Sequence, residues 1–149
     1  MKETMESNEC KFEIKKVEVE EVLKIIQGVK NSSATGTDFI DTRTIKLASN
    51  LIAHPLTHII NLSISTSSFP NLWKHAKVVP LLKFTTADPL LPKSYRPVAL
   101  LPILSKVLDK VVFGLFVKYL DENNLVHPNL HGSRTGHNTS TALIHFYDK

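Results

Sequence analysis

The chain has 149 residues, with 18 Lys and Arg against 14 Asp and Glu, for a formal net charge of +4. At 42% hydrophobic and 21% charged it has the composition of an ordinary globular chain, long enough for one domain or one piece of a larger one. No stretch approaches the roughly 18 apolar residues of a membrane-crossing helix. The acidic opening from Met1 to Glu21 lacks the apolar core of a secretory signal, and the single cysteine, Cys10, excludes an intramolecular disulfide framework.

Residues 1–11 are polar and predict a disordered tail. Phe12, Ile14 and Val17 suit a short extended run. From Glu18 to Lys30, Val22, Ile25, Ile26 and Val29 recur at helical spacing on one face. Acidic residues open this helix and Lys30 closes it, as the helix dipole favours, and Asn31-Ser32-Ser33 stops it. Ala34-Thr35-Gly36-Thr37-Asp38 is a loop, with Gly36 free to take positive φ. A second helical pattern runs from Thr42 to Ser65, with Pro55 expected to break or kink it. Phe69 to Trp73 reads as a turn.

The texture then becomes β-prone. Ala76 to Lys83 and Ser94 to Leu100 predict two strands joined by the turn-rich stretch Phe84–Lys93, a long-looped hairpin. Their prolines place both strands at edges or bulges. From Leu104 to Tyr119 apolar residues hold a 3-4 spacing, and Asp121 to Asn124 end that helix. Pro128 to Asn138 is a loop, and Thr139 to Lys149 starts another helical pattern that stops in mid-repeat, so the chain reads as cut.

Seven histidines raise the question of a metal site. His54 and His58 are four apart, and His127, His131 and His137 lie close together, but no glutamate follows His54 as in a zinc-protease helix, Pro55 sits inside the first pair, and no third ligand has a recognisable spacing. The histidines therefore read as scattered surface or interface residues, with no metal site. No nucleophile elbow and no phosphate-cradling glycine loop occurs. The informative feature is a series of basic residues beside β-prone and aromatic segments: Lys74, Lys77, Lys83, Lys93, Arg96, Lys106, Lys110 and Arg134. A hairpin carrying Lys83 and Arg96 can present two cations to a polyphosphate. A solvated charged face is the alternative.

The order of these pieces is distinctive. Ala34-Thr35-Gly36-Thr37-Asp38-Phe39-Ile40 comes first, then Phe69-Pro70-Asn71-Leu72-Trp73 running on to Lys83. Tyr95-Arg96-Pro97-Val98-Ala99-Leu100-Leu101-Pro102 follows, and last His131-Gly132-Ser133-Arg134 with Thr139-Ser140-Thr141-Ala142-Leu143. Together they resemble the N-terminal part of the reverse transcriptase domain of LINE-like, non-LTR retrotransposons, from about Phe12 to the chain end.

That resemblance implies an α/β (α+β) fold. It would be a partial right-hand polymerase with a helix-rich fingers region, a short β-hairpin and an incomplete palm, residues 12–149 forming a truncated reverse transcriptase domain. It implies that Lys83 and Arg96 bind the triphosphate of the incoming nucleotide and that Arg134 lies by the template, although Ser133 stands where the family has an aromatic. Trp73, Tyr95 and Pro97 look structural. The family's catalytic aspartates fall beyond Lys149, so no catalytic residue is assigned, Asp148 is not taken as a metal ligand, and the fragment is expected to be inactive. The implied partners are an RNA template, a DNA primer and deoxynucleoside triphosphates, with Mg2+ serving the complete enzyme and no membrane. The implied location is intracellular, with the nucleus the compartment the resemblance suggests. Apolar residues beyond the stripe of the Leu104–Tyr119 helix, Phe113 and Val117, suggest self-association. The alternative reading is a non-catalytic nucleic-acid-binding or helical interaction module derived from such a domain.

Overall fold

The computed structural model describes residues 14–127, 129–132, 134 and 136–147. The expected tail at residues 1–11, with Phe12, Ser133 and Asp148, lies outside the described residues. The elements in chain order are α1 (Val19–Gln27), α2 (Thr42–Leu47), α3 (Ser49–Ser65), β1 (Lys77–Leu82), β2 (Tyr95–Leu100), α4 (Ile103–Glu122) and α5 (Thr139–Tyr147). The structure is thus helix-rich with a two-stranded antiparallel sheet, a mixed α/β chain. It divides into two compact units, one of Glu13–Phe113 and one that includes Gly114–Lys149.

In the first unit, α1 packs against α2 and α3. Val22 and Ile26 are fully buried and Val29 nearly so, while Ile25 of the expected face is half-buried. Opposite them lie Ala53, Leu56 and Ile60 of α3, and the first turns of α4 bury Ile103, Val107, Leu108 and Val111. The chain entering α1 is pinned by a side chain. Asn61 accepts from the Val17 N–H at 2.9 Å and donates to the Val17 carbonyl at 2.9 Å, satisfying both backbone groups of one residue.

Of the break or kink expected at Pro55, the break falls elsewhere. The pattern divides at Ala48, between α2 and α3, and α3 continues through Pro55. Pro55 is exposed and so is Leu51, four residues back. Water can therefore serve the carbonyl that a proline leaves without its helical partner, and the helix persists on the strength of its buried face.

Gly36 does not use the freedom to take positive φ. Among the described glycines the positive φ belongs to Gly136, at +77°. Gly36 is needed for closeness instead: a β-carbon on it would lie 2.4 Å from the Pro102 nitrogen and 2.7 Å from the Leu101 carbonyl carbon. The 34–38 loop therefore lies directly on the junction between β2 and α4. Lys106 fastens the same junction, its ammonium donating to the Ala34 carbonyl at 2.7 Å.

In the second unit, Asn124 closes α4 in the left-handed region (φ +52°), and the Leu125 N–H reaches back to the Leu120 carbonyl at 2.9 Å. Asn138 caps α5, accepting from the Thr141 N–H at 2.9 Å, while Thr141 Oγ1 accepts from the Asn138 N–H at 2.9 Å.

Candidate nucleotide and nucleic-acid interface

The β1–β2 hairpin pairs Lys77 with Leu100, Val79 with Val98, Pro80 with Pro97, Leu81 with Arg96 and Leu82 with Tyr95. One step further, the Lys83 N–H donates to the Ser94 carbonyl at 2.8 Å. Hydrogen-bonded and non-bonded pairs alternate along an antiparallel ladder, so a bonded 83–94 pair makes Pro80 and Pro97 a non-bonded pair. Neither proline costs the ladder a hydrogen bond, which is why two facing prolines are tolerated in the middle of it.

The same register places the two predicted phosphate-binding residues. Arg96 faces Leu81 and Lys83 faces Ser94, so alternation puts Lys83 and Arg96 on one face, diagonally across the strands. Diagonal neighbours lie roughly 7–8 Å apart at the backbone, within reach of one polyphosphate for side chains of this length. Both residues are exposed.

Each cation is engaged by the hairpin in a way the sequence did not foretell. The Lys83 ammonium donates to the Lys93 carbonyl at 2.7 Å, at the far side of the connecting loop. The Arg96 guanidinium carbon lies 6.0 Å from the centroid of the Phe84 ring, whose side chain is itself exposed. A guanidinium stacked on a ring keeps its N–H edge free for a bidentate acceptor. The connecting loop is a chain of turns held at Asp88, whose carboxylate accepts from the Leu90 N–H at 2.9 Å. The Tyr95 hydroxyl donates to the Pro89 carbonyl at 2.9 Å, tying the start of β2 to the connecting loop.

Of the rest of the basic series, Lys77, Lys93 and Lys110 are exposed, while others are engaged or less open. Lys106 is committed to Ala34, and the Lys74 ammonium donates to Asn71 Oδ1 at 3.2 Å. Arg134 is half-buried in the second unit, whereas Lys83 and Arg96 belong to the first. Its carbonyl accepts from the His137 N–H at 3.1 Å across a turn that uses Gly136.

Four histidines (His54, His58, His75 and His127) are exposed, as scattered residues should be. The other three converge. The His131 ring centroid lies 5.3 Å from that of His137 and 5.6 Å from that of His145. The spacing had drawn His131 and His137 together with His127, but gave no sign of His145, which reaches the group from α5. Among the described residues, no group of three or more His, Cys, Asp or Glu is arranged to hold a metal ion. No described helix is long and apolar enough to cross a membrane.

No protein-family profile matches the chain. Individual relatives do. It is 31% identical over 127 residues, 85% of its length, to the RNA-directed DNA polymerase from mobile element jockey of Drosophila melanogaster. The jockey polymerase of Drosophila funebris is 30% identical over the same share. The retrovirus-related Pol polyprotein from type-1 retrotransposable element R1 of Bradysia coprophila is 32% identical over 106 residues, 71% of the chain. The chain spans 14% of the length of the two jockey polymerases and 10% of the R1 polyprotein. Over most of its length, then, this chain is homologous to the RNA-directed DNA polymerases of non-LTR retrotransposons.

Proposed function

We propose that this segment forms the nucleotide- and template-facing fingers of an RNA-directed DNA polymerase. Lys83 and Arg96 hold the triphosphate of the incoming deoxynucleotide, and Arg134 lies along the template. The observation that carries this reading is the register of the hairpin, which puts the two cations on one face and diagonal to each other. Phosphoryl transfer is catalysed chiefly by positioning and by neutralising charge, so an arginine fork and a lysine point charge suit the task. The carboxylates that hold the two Mg2+ ions of such an enzyme come, on this reading, from other segments, and these 149 residues supply binding without chemistry. The reading also gives the polymerase's workplace, the nucleus, as the place where the segment acts.

Large apolar side chains on the first unit, including Leu47 and Leu51 at 89% and 83% exposed, suit contact with other protein. On its own the chain is therefore expected to self-associate.

Equilibrium binding of deoxynucleoside triphosphates to the 149-residue chain tests the clamp. All four should bind with similar affinity, and inorganic tripolyphosphate should displace them, since a contact to phosphate carries no base preference. Binding should vanish in the Lys83→Ala, Arg96→Ala double variant. Displacement by nucleosides lacking phosphate, or unchanged binding in the double variant, contradicts it.

A further inference from the structure

Phe84 lies one residue beyond the 83–94 hydrogen bond that closes the hairpin ladder, and its side chain is 64% exposed. Strand alternation carried past Lys83 would send the ring to the face opposite Lys83 and Arg96. β1 ends at Leu82, however, and a turn begins at Phe84, whose carbonyl accepts from the Ala87 N–H at 3.1 Å. Released from the alternation, the ring lies against the Arg96 guanidinium, 6.0 Å from centroid to guanidinium carbon.

Nothing else in the hairpin holds that guanidinium. Among the described residues it makes no hydrogen bond and no ion pair, the ion pair there being Lys118 with Glu122. The nearest acid in sequence, Asp88, turns its carboxylate to the Leu90 N–H. Five N–H donors are thus left open while one face of the group rests on a ring. An exposed phenylalanine by itself asks for no explanation. This one touches the arginine that the hairpin offers to phosphate, and it opens the same connecting loop whose Lys93 carbonyl tethers Lys83 at 2.7 Å.

We propose that Phe84 is a positioning residue for Arg96, holding the guanidinium flat so that its donor edge meets the triphosphate already oriented. A side chain ordered before binding loses less freedom when the ligand arrives. The ring is neutral and donates no hydrogen bond, so it adds no grip on phosphate of its own and acts wholly through Arg96. The role rests on the assignment of Arg96 to the triphosphate of the incoming nucleotide.

The test is calorimetric binding of inorganic tripolyphosphate to the 149-residue chain and to variants at the two positions. Phe84→Leu keeps an apolar side chain and removes the aromatic face. It should weaken binding roughly two- to fivefold, the scale of an exposed cation–π contact, with the melting temperature unchanged. Phe84→Trp, whose ring attracts cations more strongly, should bind at least as tightly as the wild type. In an Arg96→Ala background Phe84→Leu should change nothing, because the ring then has no guanidinium to hold. The δ-methylene protons of Arg96, shielded by the ring in the wild type, should move downfield in Phe84→Leu.

Equal weakening by Phe84→Leu with and without Arg96 overturns the proposal, as does a Phe84→Trp chain that binds as poorly as Phe84→Leu. Wild-type affinity in Phe84→Leu, with weak binding in Arg96→Ala, also overturns it and leaves the triphosphate reading of Arg96 standing. Wild-type affinity in Arg96→Ala removes that reading and this role together. Should Arg96→Ala abolish binding, the two Phe84 variants and the Arg96 proton shifts decide.

Discussion

Gly36 and Pro102 approach so closely that a β-carbon on Gly36 would stand 2.4 Å from the Pro102 nitrogen. The two residues are 66 positions apart, and their contact brings the 34–38 loop onto the point where β2 hands over to α4. The atoms facing Gly36 are backbone, which cannot swing aside as a side chain would. Gly36→Ala should therefore destabilise the chain by about 1–3 kcal/mol, the usual cost of forcing a methyl into a packed site. Chemical denaturation of the variant measures it, and a loss under about 0.5 kcal/mol, the scale of an ordinary surface change, would show that the loop simply shifts away.

Asn61 offers a second check on the first unit. Its amide closes two hydrogen bonds on the backbone of Val17, a residue only 4% exposed. Asn61→Leu removes both bonds while keeping the branched shape, and it leaves a buried N–H and carbonyl to find water. A loss of about 1–3 kcal/mol is expected. Amide exchange at Val17 should accelerate before that of α3. Unchanged protection at Val17 would mean that the clamp is dispensable.

These two contacts show what was and was not legible in the sequence. Strands and helices were, because their signals are local: β1 and β2 fall inside the two runs expected, and α1 and α4 follow their apolar spacing. The role of Gly36 was not, since a glycine in a loop looks the same whether it serves φ or a close approach. Which of a break and a kink Pro55 would give was not legible, because its effect depends on whether the freed carbonyl meets water, which is a matter of tertiary placement. The shared face of Lys83 and Arg96 follows once the strand register is fixed. The partners of those cations, Lys93 and Phe84, depend on how the connecting loop folds back. The nearness of His131 and His137 was legible in their spacing, but the third histidine was not, because His145 arrives from a separate helix.

His131 gives a pH dependence whose sign can be worked out. Burial, and then the charges of His137, His145 and Arg134, hold its imidazole below the usual range. The folded chain therefore prefers the neutral ring more strongly than the unfolded chain, where histidine titrates near about 6.5. The stability this contributes is present above that value. It is lost as pH falls below it, levelling once the folded ring is itself protonated. In phosphate-free buffer, amide protection in α5 should decrease from pH 7.5 to pH 5.5, and His131→Asn should lessen that decrease. Protection that holds steady or rises on acidification would contradict the placement of His131.

Primer extension on an RNA template checks the division of labour. The 149-residue chain should incorporate no nucleotide with Mg2+ or Mn2+, because the carboxylates that position two cations are assigned to other segments. Template-dependent incorporation by the pure chain would show that these residues do more than bind.

The central claim is that Lys83 and Arg96 act on the triphosphate of the incoming nucleotide, and the most direct measurement is nucleotide dependence in a longer, active polypeptide carrying this segment. Arg96→Ala should lower incorporation efficiency by about 1.5–3 kcal/mol, the range for a charged hydrogen bond, with Lys83→Ala doing the same to a lesser degree. The loss should be equal for all four nucleotides, leaving template–primer affinity and melting temperature unchanged, and Arg96→Lys should recover part of it. Unchanged nucleotide kinetics in both alanine variants would contradict the claim. So would a joint fall in melting temperature and template affinity in Arg96→Ala that Arg96→Lys fails to reverse, since that would make Arg96 a brace for the hairpin.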